Sequence, residues 1–229
     1  MNILDISAPL ADGMPRYPSP YIPDVRLSPA ATHEKEGRSV QVLTCGTHLS
    51  THIDAPFHAI PGGKTLDQIP TSHFIGVARK VSFPGRNKSV PLDIEDLQNI
   101  SHLHPCEKLV LETGWGDATW GSDRYFTEGP YLTRAAARFL AELPNLHLLG
   151  MDFPNIDCIE DMKIGTPAPN HQILLGRNIL LLENLLNLKP VDEYFYLSAV
   201  PPRLVGADGC PCRAVAIFPI REMLESLKA

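Results

Sequence analysis

An α/β domain built on a mixed, curved β-sheet with helices around it is the fold this sequence predicts, and three features predict it. Apolar, β-branched runs of strand length recur at residues 39–44, 75–83, 108–113, 147–151, 178–182, 195–199 and 214–218. Short helical patterns fall among them at 93–97, 133–143, 170–175 and 220–227. No internal repeat, low-complexity tract or linker divides the chain, so its 229 residues are expected to form a single domain, 1–229.

Taken in order, residues 3–7 read as a first strand, stopped at Pro9. Residues 10–23 are rich in Pro, Gly and Tyr and form a long shaped loop. Such loops are often functional, so Met14, Tyr17 and Tyr21 could line a pocket; a surface loop pinned by its aromatics is the alternative. Residues 39–44 alternate like a strand and lead into a histidine-rich stretch. Pro61-Gly62-Gly63 marks a turn, and residues 65–69 suffice for one helical turn. Asp93 is placed to cap the 93–97 helix, with acids in its first turn favoured by the helix dipole. Residues 108–113 read as a buried strand ending at Gly114-Trp115-Gly116. Thr133 caps the clearest amphipathic helix and Pro144 ends it. Residues 170–175 form a short helix closed by Gly176, and Glu183 ends the strand that follows.

Composition excludes several function classes. A net charge of −6 argues against a nucleic-acid binder, which would show a basic patch. No apolar run approaches the roughly 20 residues of a membrane span. The N-terminus has no basic region followed by an apolar run, so no signal peptide is expected. Five cysteines without framework spacing fit a reducing cytoplasm. A protein acting on small molecules is what remains.

Residues 47–58 carry the chemistry. His48, His52, Asp54 and His58 fall within eleven residues. Imidazole nitrogen and carboxylate oxygen together suit a divalent ion such as Zn²⁺ or Mn²⁺. All four positions are even-numbered and would share one face of a straight strand. His48 and His58 would then lie about 33 Å apart, too far for one site. The segment must therefore bend, and a tight turn through 48–52 followed by a loop is the expected shape, since Pro56 cannot continue a helix. A catalytic site needs further ligands. His171, at a helix start, and Glu183, at a following strand end, can meet at one rim of a sheet; Glu183 could equally be a solvated strand terminus.

The run His48-x-Ser50-Thr51-His52-x-Asp54-x-Pro56-x-His58 resembles the signature of the metal-dependent cyclase-type hydrolases, the family that contains bacterial kynurenine formamidase and isatin hydrolase. That signature has Gly where this chain has Ser50. The resemblance continues through Asp5-Ile6-Ser7 with Gly13-Met14-Pro15, Thr113-Gly114-Trp115, Gly150-Met151-Asp152, Asn170-His171, Glu183-Asn184-Leu185 and Asp208-Gly209. It implies that His48, His52 and Asp54 bind metal, that Asp54 bridges two ions, and that His171 and Glu183 complete the second site. It leaves His58 as general acid/base. It also implies a barrel-like sheet of the swivelling β/β/α type, a homodimer or homotetramer, and two ions per subunit, zinc first and manganese as the alternative.

Such a site hydrolyses an amide, formamide or lactam, since a metal lowers the pKa of water to roughly 7 and polarises a carbonyl. Arylformamidase activity on N-formylkynurenine is the first expectation; isatin-like lactam or lactone opening is the second. A non-catalytic, metal-stabilised binding protein is the alternative of a different class. Arg213 could fork onto a substrate carboxylate or form a structural salt bridge. Trp115 and Phe153 could wall the pocket or pack in the core. Asp152 and Asp157 could orient ligand histidines or stabilise turns. Cys210 and Cys212 read as two thiols in a loop, and His33, His73, His102, His104 and His147 as surface or structural.

Overall fold

The structure, a computed structural model, describes residues 1–98, 106–162 and 168–220. Its strands are β1 (Asn2–Asp5), β2 (Arg26–Ala31), β3 (Val40–Thr44), β4 (His52–Asp54), β5 (Ile75–Ser82), β6 (Lys108–Glu112), β7 (Leu148–Met151), β8 (Leu180–Glu183), β9 (Tyr194–Ser198), β10 (Gly209–Pro211) and β11 (Val215–Phe218). Its helices are α1 (His33–Glu36), α2 (Ile94–Gln98), α3 (Trp115–Thr119), α4 (Arg124–Thr127), α5 (Arg134–Ala141) and α6 (Pro169–Leu175). None of them is long and apolar enough to cross a membrane.

The main sheet has the order β1-β11-β9-β5-β6-β7-β8-β4-β10. Strands β5 to β8 run parallel, and every other pairing is antiparallel. Strands β6, β7 and β8 are nearly uninterrupted apolar runs because both of their faces are covered. Leu109, Leu111, Leu149, Met151 and Leu181 turn one way, onto Ala136, Ala137 and Leu140 of α5 and Leu174 and Leu175 of α6. Val110, Leu148, Leu180 and Leu182 turn the other way, into a second cluster. That cluster joins Ile53 and Cys210, near one edge of the sheet, to Ala216 and Phe218 near the other. One cluster can reach both ends of a nine-stranded sheet only if the sheet curls around it into a half-barrel.

The helix caps fall as the sequence implies. Thr133 accepts from the Ala136 N–H at 3.2 Å to open α5. The Asp93 Oδ1 atom accepts from the Ile94 N–H at 2.7 Å and from the Thr133 hydroxyl at 2.6 Å, which ties the starts of α2 and α5 together.

Three features depart from expectation. Strand β2 has no alternation and contains Pro29, yet it pairs with β3 in a separate two-stranded sheet; a proline is tolerated on such an edge. Strands β4 and β10 are three residues each, too short for a periodicity signal. The strand over 108–113 ends where α3 begins, because Gly114 takes a left-handed φ of 75° and turns the chain. The expected terminal helix at 220–227, apart from residue 220, lies outside the described residues, as do His102 and His104.

Candidate metal centre

Strand β4 is held on both edges, by β8 and by β10. Its register sets His52 directly opposite Glu183. Asp54, two residues on, projects from the same face as His52, while Ile53 turns into the core of the half-barrel. The segment thus bends as required, but through a different shape from the one expected. The bend lies at residues 47–51, and residues 52–54 are extended rather than a loop, because backbone hydrogen bonds on both sides fix them.

At the bend Ser50 has φ +56°, a conformation that glycine adopts more readily. Its hydroxyl donates to the Ala8 carbonyl at 2.6 Å, which anchors a serine at this position of the signature. After β4, Pro56 opens a 3₁₀ turn, Pro56–His58, that delivers His58. The Phe57 N–H returns to the Lys64 carbonyl at 3.0 Å. Gly63 lies so close that a Cβ would sit 2.8 Å from the Pro56 carbonyl carbon, so the Pro-Gly-Gly turn has to be glycine there.

Four imidazoles and three carboxylates meet in the floor of one cavity of about 350 Å³. Asp54 is its hub. Its Oδ1 lies 2.7 Å from His48 Nδ1 and 3.3 Å from His52 Nε2, and its Oδ2 lies 3.7 Å from His171 Nε2. The Glu183 carboxylate lies 3.6 Å from His52 Nε2 and 3.7 Å from His171 Nε2. Among the described residues two overlapping groups could each hold an ion, His48–Asp54–His58 and His52–Asp54–Glu183, and Asp54 belongs to both.

The remaining ring nitrogens are tied down. His52 Nδ1 donates to the Ser50 carbonyl at 2.9 Å, and His171 Nδ1 donates to Asp157 Oδ2 at 2.7 Å. These bonds fix each Nδ1 as the protonated nitrogen and leave a lone pair on Nε2 aimed at Asp54 and Glu183. Asp157 also accepts from the backbone N–H groups of Asn170 and His171, so it orients a histidine of the centre. Asp152 plays the other role weighed for it: it accepts from Thr113 N, Thr113 Oγ1 and Gly114 N and organises that turn.

Charge at the centre is unbalanced. Burial penalises both buried carboxylates, but His48, His52 and His58 around Asp54 outweigh it and hold Asp54 well below the usual carboxylate range. Glu183 is pushed well above that range, first by burial and then by the ionised Asp54. Its Oε1 is buried with no hydrogen-bond partner. Burial opposes charge on His48 as well, yet Asp54 and Asp208, each on one ring nitrogen, raise its pKa to about 10. An orphaned carboxylate oxygen 3.7 Å from the His171 Nε2 lone pair, on a carboxylate whose other oxygen lies 3.6 Å from His52 Nε2, is what a divalent cation satisfies, so the donor set fits one.

The family model described as "Putative cyclase" matches residues 4–158. The chain belongs to the cyclase family. A kynurenine formamidase of Bacillus cereus is 33% identical over 217 residues, covering 93% of this chain and 95% of that one. Among solved structures, a "predicted metal-dependent hydrolase" from Bacillus stearothermophilus is 26% identical with a TM-score of 0.71, covering 94% of this chain and 97% of that one. Isatin hydrolase A from Ralstonia solanacearum shares the fold, with a TM-score of 0.77 at 20% identity, over 95% of this chain and 92% of that one. The family and the curled sheet expected from the residue pattern are therefore those found.

Of Tyr17, Trp115, Phe153 and Arg213, Tyr17 stands in the cavity wall, edge-on to Phe126 with ring centroids 6.2 Å apart. Tyr21 lines the same cavity. Trp115 and Phe153 are core residues; the Trp115 indole donates to the Tyr125 carbonyl at 3.1 Å, and Phe153 is fully buried. Arg213 is an exposed salt-bridge partner of Asp5 at 2.8 Å, outside this cavity. Asp208 was legible only as part of a closing loop, yet its Oδ2 lies 2.8 Å from His48 Nε2 and 3.5 Å from His58 Nδ1. Phe126 had no signal in the sequence, and Asn184 none beyond its place beside Glu183.

Gly209 is packed against the centre: a Cβ there would stand 2.6 Å from His48 Cε1 and 2.9 Å from the Ile53 carbonyl oxygen. Gly209→Ala is expected to push the His48 ring aside and to destabilise the fold by about 1–3 kcal/mol, the usual cost of overpacking. Thermal unfolding measures this directly. An unchanged melting temperature would contradict the close approach.

Proposed function

We propose that this chain is a metal-dependent hydrolase that cleaves an amide-type C–N bond, with N-formylkynurenine as the first substrate to test. The observation that carries the reading is Asp54, shared between two overlapping groups of donors, with the orphaned Glu183 oxygen beside it. In this reading, which follows the family resemblance rather than the two geometric groups, His48, His52 and Asp54 would hold one divalent ion, and Asp54, His171 and Glu183 would hold a second. Zinc is the first candidate and manganese the alternative, since nitrogen and oxygen donors suit both.

Bound there, a divalent ion supplies Lewis acidity, which polarises the scissile carbonyl and makes water nucleophilic at neutral pH. The chain supplies the rest. His58 is the most exposed histidine of the cluster, its side chain 32% accessible against 4% for His52 and His171. Burial, ahead of the neighbouring charges, lowers its pKa below 6.5, so it is neutral at pH 7. A neutral imidazole accepts the proton of the attacking water and returns it to the leaving nitrogen. The C–N bond breaks, the acyl carbon leaves as carboxylate, and the nitrogen leaves as amine. Asp208 Oδ2, 3.5 Å from His58 Nδ1, steers the ring. Tyr17, Phe126, Pro154 and Met162 make an apolar wall of the cavity, suited to an aryl group.

The β2–β3 arm exposes Leu27, Val40, Val42 and Leu43, and a lone two-stranded hairpin is marginal in water. A homodimer or homotetramer that buries the arm fits this, with sedimentation velocity as its measurement. For activity, the metal-loaded protein should be assayed with N-formylkynurenine, isatin and simple lactams beside a chelated control. Hydrolysis lost on chelation while the fold survives supports the reading. Fast lactam opening without formamide cleavage would move the substrate to the lactam class. A loaded protein inert to all of them would favour a binding role.

A further inference from the structure

The geometry points to a positioning relay behind the centre: we propose that Tyr125 and Asn184 set the tautomer and the aim of His52 from inside the core. Tyr125 is fully buried, in edge contact with Trp120 and Phe126 at 5.0 and 4.9 Å between ring centroids. Its hydroxyl lies 2.7 Å from Asn184 Oδ1. An amide oxygen only accepts, so the phenol donates. That bond turns the other end of the amide, Nδ2, toward the Ser50 carbonyl, to which it donates at 2.7 Å. The same carbonyl accepts from His52 Nδ1 at 2.9 Å. The two nitrogens lie 3.3 Å apart, both pointing their hydrogens at one oxygen. A carbonyl has two lone pairs, and here both are used.

The chain of consequences runs one way. If the Asn184 amide turned over, its oxygen would face the Ser50 carbonyl oxygen, and two acceptors repel. The Tyr125 hydroxyl removes that alternative, because it gives Oδ1 a better partner on the far side. With the amide fixed, the Ser50 carbonyl is held in place and keeps the proton of His52 on Nδ1. The Nε2 lone pair is then free toward Asp54 and Glu183. The backbone is built to the same end. Asn184 and Ser50 both take left-handed φ values, 62° and 56°. The Thr51 hydroxyl donates to the Asn184 carbonyl at 2.6 Å and accepts from the Ala8 N–H at 2.8 Å, so the two segments cannot drift apart. No atom of Tyr125 enters the cavity wall, and its part is played through Asn184.

The purpose of the relay rests on the metal-dependent reading, so the test has an arm that does not need the metal. Long-range proton–nitrogen NMR of the metal-free protein reads the His52 tautomer directly, with His52→Gln assigning the signal. The native chain should show His52 as the Nδ1–H tautomer. Tyr125→Phe keeps the ring, and Asn184→Gly keeps the left-handed backbone without strain; each should give a mixed or exchanging tautomer. Titration with Zn²⁺ should show dissociation constants at least about tenfold weaker, the usual effect of removing a group that orients a metal-ligating histidine. Thr119→Val is the control. It removes a buried hydroxyl of the neighbouring helix, which donates to the Trp115 carbonyl at 2.7 Å and does not reach the relay. It should shift neither the tautomer nor the zinc affinity. A native tautomer in both relay variants overturns the proposal, as does an equal loss of zinc affinity in Thr119→Val. If no form of the chain binds zinc, the metal reading fails and the tautomer spectra alone decide the relay.

Discussion

His58→Ala is expected to lower turnover by about 10²–10⁴-fold, the usual contribution of a positioned acid/base, while the bound metal content stays at the native level. His58 lies near the centre, its ring centroid 4.0 Å from that of His48, and it belongs to one of the two groups that could hold an ion. Geometry alone therefore allows it to be a ligand. Three features set it apart. It is far more exposed than His52 and His171, and it comes from a 3₁₀ turn rather than from the sheet or α6. Among the described residues its ring has the 3.5 Å approach of Asp208 in place of bonds as short as those that fix His52 and His171. A group that moves protons needs solvent access and some freedom; a ligand needs neither. The pH profile is a second measurement. Burial lowers the His58 pKa, so the acidic limb of turnover should fall below pH 6.5 and disappear in His58→Ala. Loss of metal together with activity would make His58 a ligand and end its assignment as the proton carrier.

Much of this arrangement was legible before the fold. The density of His48, His52, Asp54 and His58 marked a site, and reach excluded a straight strand. Strands β6, β7 and β8 were legible because burial on both faces leaves an unbroken apolar signal. Strand β4 was not, because what keeps His52–Asp54 extended is pairing with β8 and β10, some 130 and 155 residues away along the chain. Trp115 and Phe153 adjoin the motifs, which made them candidates for the wall, but adjacency in sequence does not say which way a side chain turns. Arg213 was balanced between two roles, and Asp5 on the partner strand of the sheet decided it. Tyr125 gave no signal at all, since a tyrosine in a short helix is ordinary and its partner lies 59 residues away.

Stripping the divalent ion is expected to lower the melting temperature, and the gap between loaded and stripped protein should widen as pH rises. At an ion concentration roughly 1,000-fold above Kd, binding adds about 4 kcal/mol. For a chain of this length that corresponds to roughly 8–16 °C. The pH dependence follows from Glu183. Its folded pKa, without the ion, is raised by burial and by Asp54. The stability it contributes to the stripped protein is therefore complete below the unfolded carboxylate pKa and is lost as pH climbs through the raised value. His48 acts in the same direction: its pKa is raised to about 10, so its contribution is complete below about pH 6.5 and fades toward the raised value. Ion uptake takes the proton from both groups, so affinity increases with pH while the stripped protein weakens. Asp152, with a pKa pushed up to about 7 by burial, titrates in both forms and cancels from the difference. Glu183→Gln is the decisive variant. A neutral amide no longer titrates and is a poor ligand, so the ion beside Glu183 and its share of the gap should be lost, and hydrolysis with it; what remains of the gap follows His48. A gap in Glu183→Gln as large as in the native protein at every pH between 5 and 8 would show that Glu183 does not hold an ion and that its orphaned oxygen has another cause.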